Sequence, residues 1–174
     1  MRLLCLLLFS NFLLVVTGFS QTPWPIRTDT VNVFPPLRDL QGVWKWSNGK
    51  ETLIFYLKTG VITHAGRIQT ENLLGNHEFL RDGKRIDPIR PPSPDPTPES
   101  RTINIGPAEP NLKTKKFSGS ILEESLGKYS SFEIEYDPEL KVMHVKITDR
   151  DEVIGQKPIE GHVLPLSFEL KKIQ

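Results

Sequence analysis

Apolar and polar residues change places at every second position along much of this chain, in runs too short for helices. The clearest run is SSFEIEY at 130–136, where Phe132, Ile134 and Tyr136 share one parity and Glu133 and Glu135 the other. Successive side chains of a strand point to opposite faces, so such a run predicts a half-buried strand. In TLIFYLK at 52–58 both parities are apolar, Leu53, Phe55 and Leu57 against Ile54 and Tyr56. A strand covered on both sides, rich in β-branched and aromatic residues, reads that way. At 141–147, Met143, Val145 and Ile147 fall inward and Val142, His144 and Lys146 opposite. Further runs lie at 42–46, 61–64, 73–80, 102–105 and 117–121. The last is at 163–170, where Leu164, Leu166, Phe168 and Leu170 share a face.

Turn chemistry separates these runs. SNGKE at 47–51 centres on Asn-Gly, Thr59-Gly60 reads as a reversal, RDGKRI at 81–86 carries Asp-Gly, and DPEL at 137–140 has proline at its second position. No stretch keeps a 3.6-residue period over the length of a helix. About eight short strands at near-regular spacing predict an all-β chain, an antiparallel meander closed into a barrel or stacked as a sandwich. Closure hides the edges that so many strands otherwise expose.

The flanks are of different composition. Arg2, a nearly continuous apolar run at 3–16 and the small residues Gly18 and Ser20 lay out a secretory signal peptide over residues 1–20. The run is shorter than the roughly 20 residues a membrane span needs, so no span is expected after cleavage. Residues 21–39 contain Pro23, Pro25, Pro35 and Pro36 and predict an extended Pro-rich arm, with Trp24 and Phe34 available to pin it. Residues 40–174 form the barrel domain. Within it, PIRPPSPDPTP at 88–98 has proline at six of eleven positions and predicts a long exposed loop.

A secreted or periplasmic protein is therefore expected. Its one cysteine, Cys5, lies in the leader, so the mature chain relies on its apolar core rather than disulfides. Without Arg2 the mature chain carries 21 basic and 21 acidic side chains. That balance argues against nucleic acid, which calls for a basic surface, and against electrostatic membrane anchoring.

The sequence offers no site of chemistry. His64, His77, His144 and His162 do not pair with one another at metal-ligand spacing. Asp149, Asp151 and Glu152 alternate, but lack the glycine and closing glutamate of a helix-loop-helix calcium site. Glu123 with Glu124, or Glu133 with Glu135, have the residue types of a glycosidase pair, although Glu133 and Glu135 fall on the polar parity of their strand. SGS at 118–120 lacks the surroundings of a nucleophile elbow. No enzyme, metal or cofactor is expected.

Gly42-Val43-Trp44 resembles the G-x-W signature that opens the first strand of lipocalins. Together with LQGVWKWSNGKETLIFYLK, ENLLGNHEFLRDGKRI, DPELKVMHVKI and HVLPLSFELKK, the chain resembles a family of small secreted, lipocalin-like proteins of the Bacteroidota, a domain of unknown function. The likeness spans residues 40–172. It departs at His77 and Phe79, and in the length of the 88–98 loop. It implies a lipocalin-like barrel in which Gly42 and Trp44 are structural. Trp44 would cap the closed end under Lys171 or Lys172, and Trp46 would point into the lumen. The leading expectation is a non-catalytic module binding a small apolar ligand among Trp46, Phe55, Phe132, Ile134, Met143 and Val145. The alternative is a filled-barrel structural or interaction protein that meets a protein or cell-surface partner through its Pro-rich loop and arm.

Overall fold

The computed structural model describes residues 30–89, 91–107, 115–149 and 159–174. The expected signal peptide at 1–20, the first part of the arm with Trp24, and Asp151 and Glu152 lie outside them. Ten strands are described: β1 (Val31–Asn32), β2 (Gly42–Ser47), β3 (Glu51–His64), β4 (Ile68–Arg81), β5 (Lys84–Asp87), β6 (Ile103–Pro107), β7 (Lys116–Glu123), β8 (Lys128–Asp137), β9 (Val142–Asp149) and β10 (Ser167–Lys172). Eight of them form a closed antiparallel meander in the order β4-β3-β2-β10-β9-β8-β7-β6, and β6 returns to β4 through Leu73–Ile105 and Gly75–Ile103. The chain is an all-β barrel, as the alternation predicts.

Pairing along the far edge of β4 is divided among three short strands. β1 runs parallel to it at Gln69 and Thr70, β6 covers Leu73 to Gly75, and β5 covers Phe79 to Arg81. Closure at this seam thus rests on pieces, whereas β3 and β4 pair along all 14 residues of each. That long hairpin corrects the expected reversal at Thr59-Gly60. The chain turns instead after His64, where Ala65 and Gly66 take positive φ. Gly60 stays inside the strand for a packing reason: a Cβ there would sit 2.5 Å from Leu74 Cδ1.

One end of the barrel, here the lower, is closed by a segment whose prolines predict extended chain. Pro35–Leu40 instead forms a 3-10 helix with the prolines at its start, where a missing N–H costs nothing. Leu37 and Leu40 are fully buried in the barrel core. Arg38 reaches Glu71 Oε1 on the inner face of β4 at 3.1 Å. The strand expected at 163–170 begins only at Ser167, and Leu166 is exposed rather than inward. The Pro-rich loop is exposed at most positions but tied down: Pro88 and Pro96 are buried, Asn76 Nδ2 donates to Ser93 O at 2.9 Å, and Lys58 pairs with Asp95 at 2.6 Å.

The inner faces follow sequence parity. Leu53, Phe55 and Leu57 of β3, Phe132, Ile134 and Tyr136 of β8, and Met143, Val145 and Ile147 of β9 all join one buried cluster. Gly119 of β7 is small because Phe132 fills its place: a Cβ there would lie 2.7 Å from Phe132 Cζ and 2.4 Å from Asn104 O.

Candidate functional site

Of the six residues expected to line a ligand cavity, five belong to the buried core and Trp46 packs partly against it; they run from Met143, beside Tyr136 toward the lower end, to Trp46 toward the upper. Phe55 and Met143 have no exposed surface, and Phe132, Ile134 and Val145 are at most 2% exposed. Side chains around a ligand-sized void would retain accessible area on the void side. Here they meet one another in a single core, as interiors packed to crystal density do. Trp46 is half-buried nearer the upper end, with its indole 6.1 Å from the Phe168 ring, which in turn meets Phe55 edge-on at 6.0 Å. A concavity of about 700 Å³ lies at the lower end among Arg38, Asp39, Tyr136, Pro138, Lys141 and Lys172 and does not touch these residues.

Trp44 fills the lower end. It is fully buried, and its Nε1–H donates to Leu40 O at 2.8 Å, which joins strand β2 to the 3-10 helix. Tyr136 meets its ring edge-on at 5.9 Å, and Lys172 Nζ stands 5.5 Å from the ring centroid. Lys172 also donates to Asp39 O, so one ammonium holds both the indole and the helix. Gly42, at φ +121°, lets the chain enter β2, and a Cβ there would collide with Gln174 O at 2.1 Å.

The chemistry-bearing groups gather at the upper end, in two clusters. In the first, Glu123 continues the inward parity of Phe117 and Ile121 along β7 and is fully buried. Its Oε1 accepts from Ser130 Oγ at 2.6 Å and from His162 Nδ1 at 2.9 Å. Its Oε2 accepts from the amides of Val163 at 2.7 Å and Leu164 at 3.2 Å. Burial alone would raise this carboxyl, but those four donors favour its ionised form more strongly and hold it below its ordinary 4.5. His162 Nε2 lies 3.1 Å from Asp149 Oδ1, the same oxygen that takes Lys128 Nζ. With Nδ1 committed as donor to Glu123, that second contact is attractive only when the ring carries its second proton. Lys128, itself buried, also donates to Gly161 O at 2.9 Å.

The second cluster is enclosed in the wall between β4, β5 and β6. His77 and Asp87 are both fully buried, with His77 Nε2 2.6 Å from Asp87 Oδ2. The His77 amide donates to Thr102 Oγ1 at 3.2 Å, and His77 Nδ1 lies 2.8 Å from the same oxygen. The Asp87 carboxylate can only accept, so Nε2–H is the donor to it. Asp87 Oδ1 accepts the Ser125 amide at 2.7 Å. Burial would raise Asp87, yet the His77 hydrogen bond and the Ser125 amide keep its carboxyl below its ordinary 3.8. A hydroxyl, an imidazole and a carboxylate in line have the parts of a nucleophilic triad. This one is sealed and its hydroxyl is committed, so the arrangement fastens three strands to the β7–β8 turn.

The other sequence candidates do not converge. Glu124 accepts the Ile89 amide rather than joining the Glu123 cluster, and Glu133 and Glu135 are exposed on the outer face of β8. Among the described residues, no group of three or more His, Cys, Asp or Glu is arranged to hold a metal ion, and no helix is long and apolar enough to cross a membrane. Reading histidines against other histidines missed both clusters, because their partners are carboxylates: Glu123 is 39 residues from His162. Parity was the available signal, since Glu123, Lys128, Ser130 and His77 all fall on the apolar faces of their strands.

Fold and site together define an all-β, closed eight-stranded meander barrel with a packed interior and a polar upper end. No family model, curated protein or solved structure matches the chain.

Proposed function

We propose that this is a secreted or periplasmic, lipocalin-like barrel without catalytic activity, and that it acts through its surface rather than its lumen. The observation that carries this reading is the filled interior: Phe55, Phe132, Ile134, Met143 and Val145 have almost no accessible surface. The tethered Pro-rich loop supplies a surface to present. Its anchors at Pro88, Pro96, Ser93 and Asp95 leave Ile89 71% exposed near a run of prolines whose rings fix φ in advance. Such a segment loses little entropy on docking into an aromatic-lined groove of a protein partner.

A second reading has one observation in its favour. Trp46, Ile86 and Val163, all toward the upper end, are only partly buried against the core. A small apolar molecule would meet them there without entering the barrel. Native mass spectrometry of the purified protein, with titrations of fatty acids at neutral pH, tests the choice. No bound ligand and flat titrations are expected. A stoichiometric ligand whose binding is lost in Met143→Trp would overturn the filled-barrel reading. One lost only in Trp46→Ala would move the function to the upper mouth.

A further inference from the structure

Residues 161–164 cross the upper end of the barrel between β9 and β10. Among the described residues, their polar attachments all come from side chains. Lys128 takes Gly161 O, Glu123 Oε1 takes the His162 ring, and Glu123 Oε2 takes the Val163 and Leu164 amides. Their apolar anchor is Leu164, 3% exposed and part of the core. One buried carboxylate therefore holds three consecutive residues of the segment.

We propose that residues 161–164 form a strap, latched over the upper end of the barrel by the ionised Glu123 and released by acid, and that release withdraws Leu164 and opens an apolar site for a small hydrophobic molecule. The groups around the latch set its direction. Facing Glu123 are His162 from the strap and Ser130 from β8; Lys128 of β8 and Asp149 of β9 bind each other just beyond. On the β5 side, Asp87 is occupied by His77 and Ser125. All four immediate partners of Glu123 are donors. A proton added to its carboxyl places a fifth donor among them and removes the charge that attracts His162. Ser130 can turn its hydroxyl to accept, but the two amides and the imidazolium cannot. Among the described residues the strap has no ladder to fall back on, whereas β8 and β9 pair with each other from Ser130–Asp149 to Asp137–Val142. Release is thus local, and the depressed titration of Glu123 keeps the latch closed until the medium is distinctly acidic.

Amide hydrogen exchange on the whole protein, corrected for the intrinsic pH dependence of exchange, tests the strap. On acidification the Val163 and Leu164 amides are expected to lose protection by roughly tenfold or more while those of β8 and β9 keep theirs. Glu123→Leu keeps much of the volume but removes both acceptor oxygens, and should show that loss already at neutral pH. There it should also take up one equivalent of anilinonaphthalene sulfonate, which the parent protein should leave unbound. A single transition in which strap and barrel amides exchange together overturns the proposal. So does wild-type protection at Val163 and Leu164 in Glu123→Leu, and a folded Glu123→Leu that binds no dye removes the apolar site. If that variant does not fold, the titration of the parent protein decides.

Discussion

Replacing Trp44 separates a plug from a mere space-filler. Truncation to alanine empties a fully buried indole site, and large-to-alanine changes of aromatic core residues cost about 3–5 kcal/mol. The edge-on contact with Tyr136 and the Lys172 cation fall within that total and are not added to it. Phenylalanine keeps an aromatic ring near Tyr136 and Lys172 but removes the indole N–H. The Leu40 carbonyl, held at 2.8 Å in the parent, then loses its buried donor, at about 1–3 kcal/mol. Lys172→Met keeps the aliphatic stem and removes the cation, which is worth about 0.5–1 kcal/mol at a partly exposed site. Equilibrium urea unfolding followed by far-ultraviolet circular dichroism gives all three values, and the double variant combining Trp44→Phe with Lys172→Met gives their coupling. The expected order is Ala above Phe above the Lys172 change, with the slope against urea unchanged. An alanine variant losing less than about 1 kcal/mol would refute the view that Trp44 closes the lower end. A phenylalanine variant as weak as alanine would instead place the energy in the N–H bond alone.

Two further outcomes follow from the buried acids. Removing His77 strands the Asp87 carboxylate in the wall, while removing Asp87 strands only the imidazole and the Ser125 amide; His77→Leu should therefore destabilise more than Asp87→Leu, and the double variant less than the sum, by urea unfolding. Glu123 and Asp87 titrate lower in the folded chain than their ordinary 4.5 and 3.8, so the unfolded chain takes up protons first as the medium is acidified. Their contribution is complete above those values and is lost as pH falls through the folded ones; the urea midpoint should decline below pH 4.5, and a midpoint that rises there would contradict the sign.

Parity and turn chemistry determined most of the barrel without any tertiary information. The alternation in β8 and β9 states which side chains face inward, and the Asn-Gly and Asp-Gly pairs mark two of the reversals. Thr59-Gly60 shows the limit of that reading. Glycine after threonine has the local signature of a turn, but the space beside Gly60 belongs to Leu74 of the partner strand, and only the packed hairpin shows this. The prolines at 35–36 likewise mark an irregular segment equally well as arm or as helix start. What decided for a helix was burial of Leu37 and Leu40, together with the Leu40 carbonyl waiting for Trp44. Inward Glu123 and His77 were visible as polar residues on apolar faces, yet their partners are long-range, and no local pattern links Glu123 to residues 162–164 or His77 to Asp87. Strand identity is set by neighbours along the chain, so the sequence carries it. Whether a buried charge is satisfied, and by which group, depends on contacts that exist only once the barrel has closed.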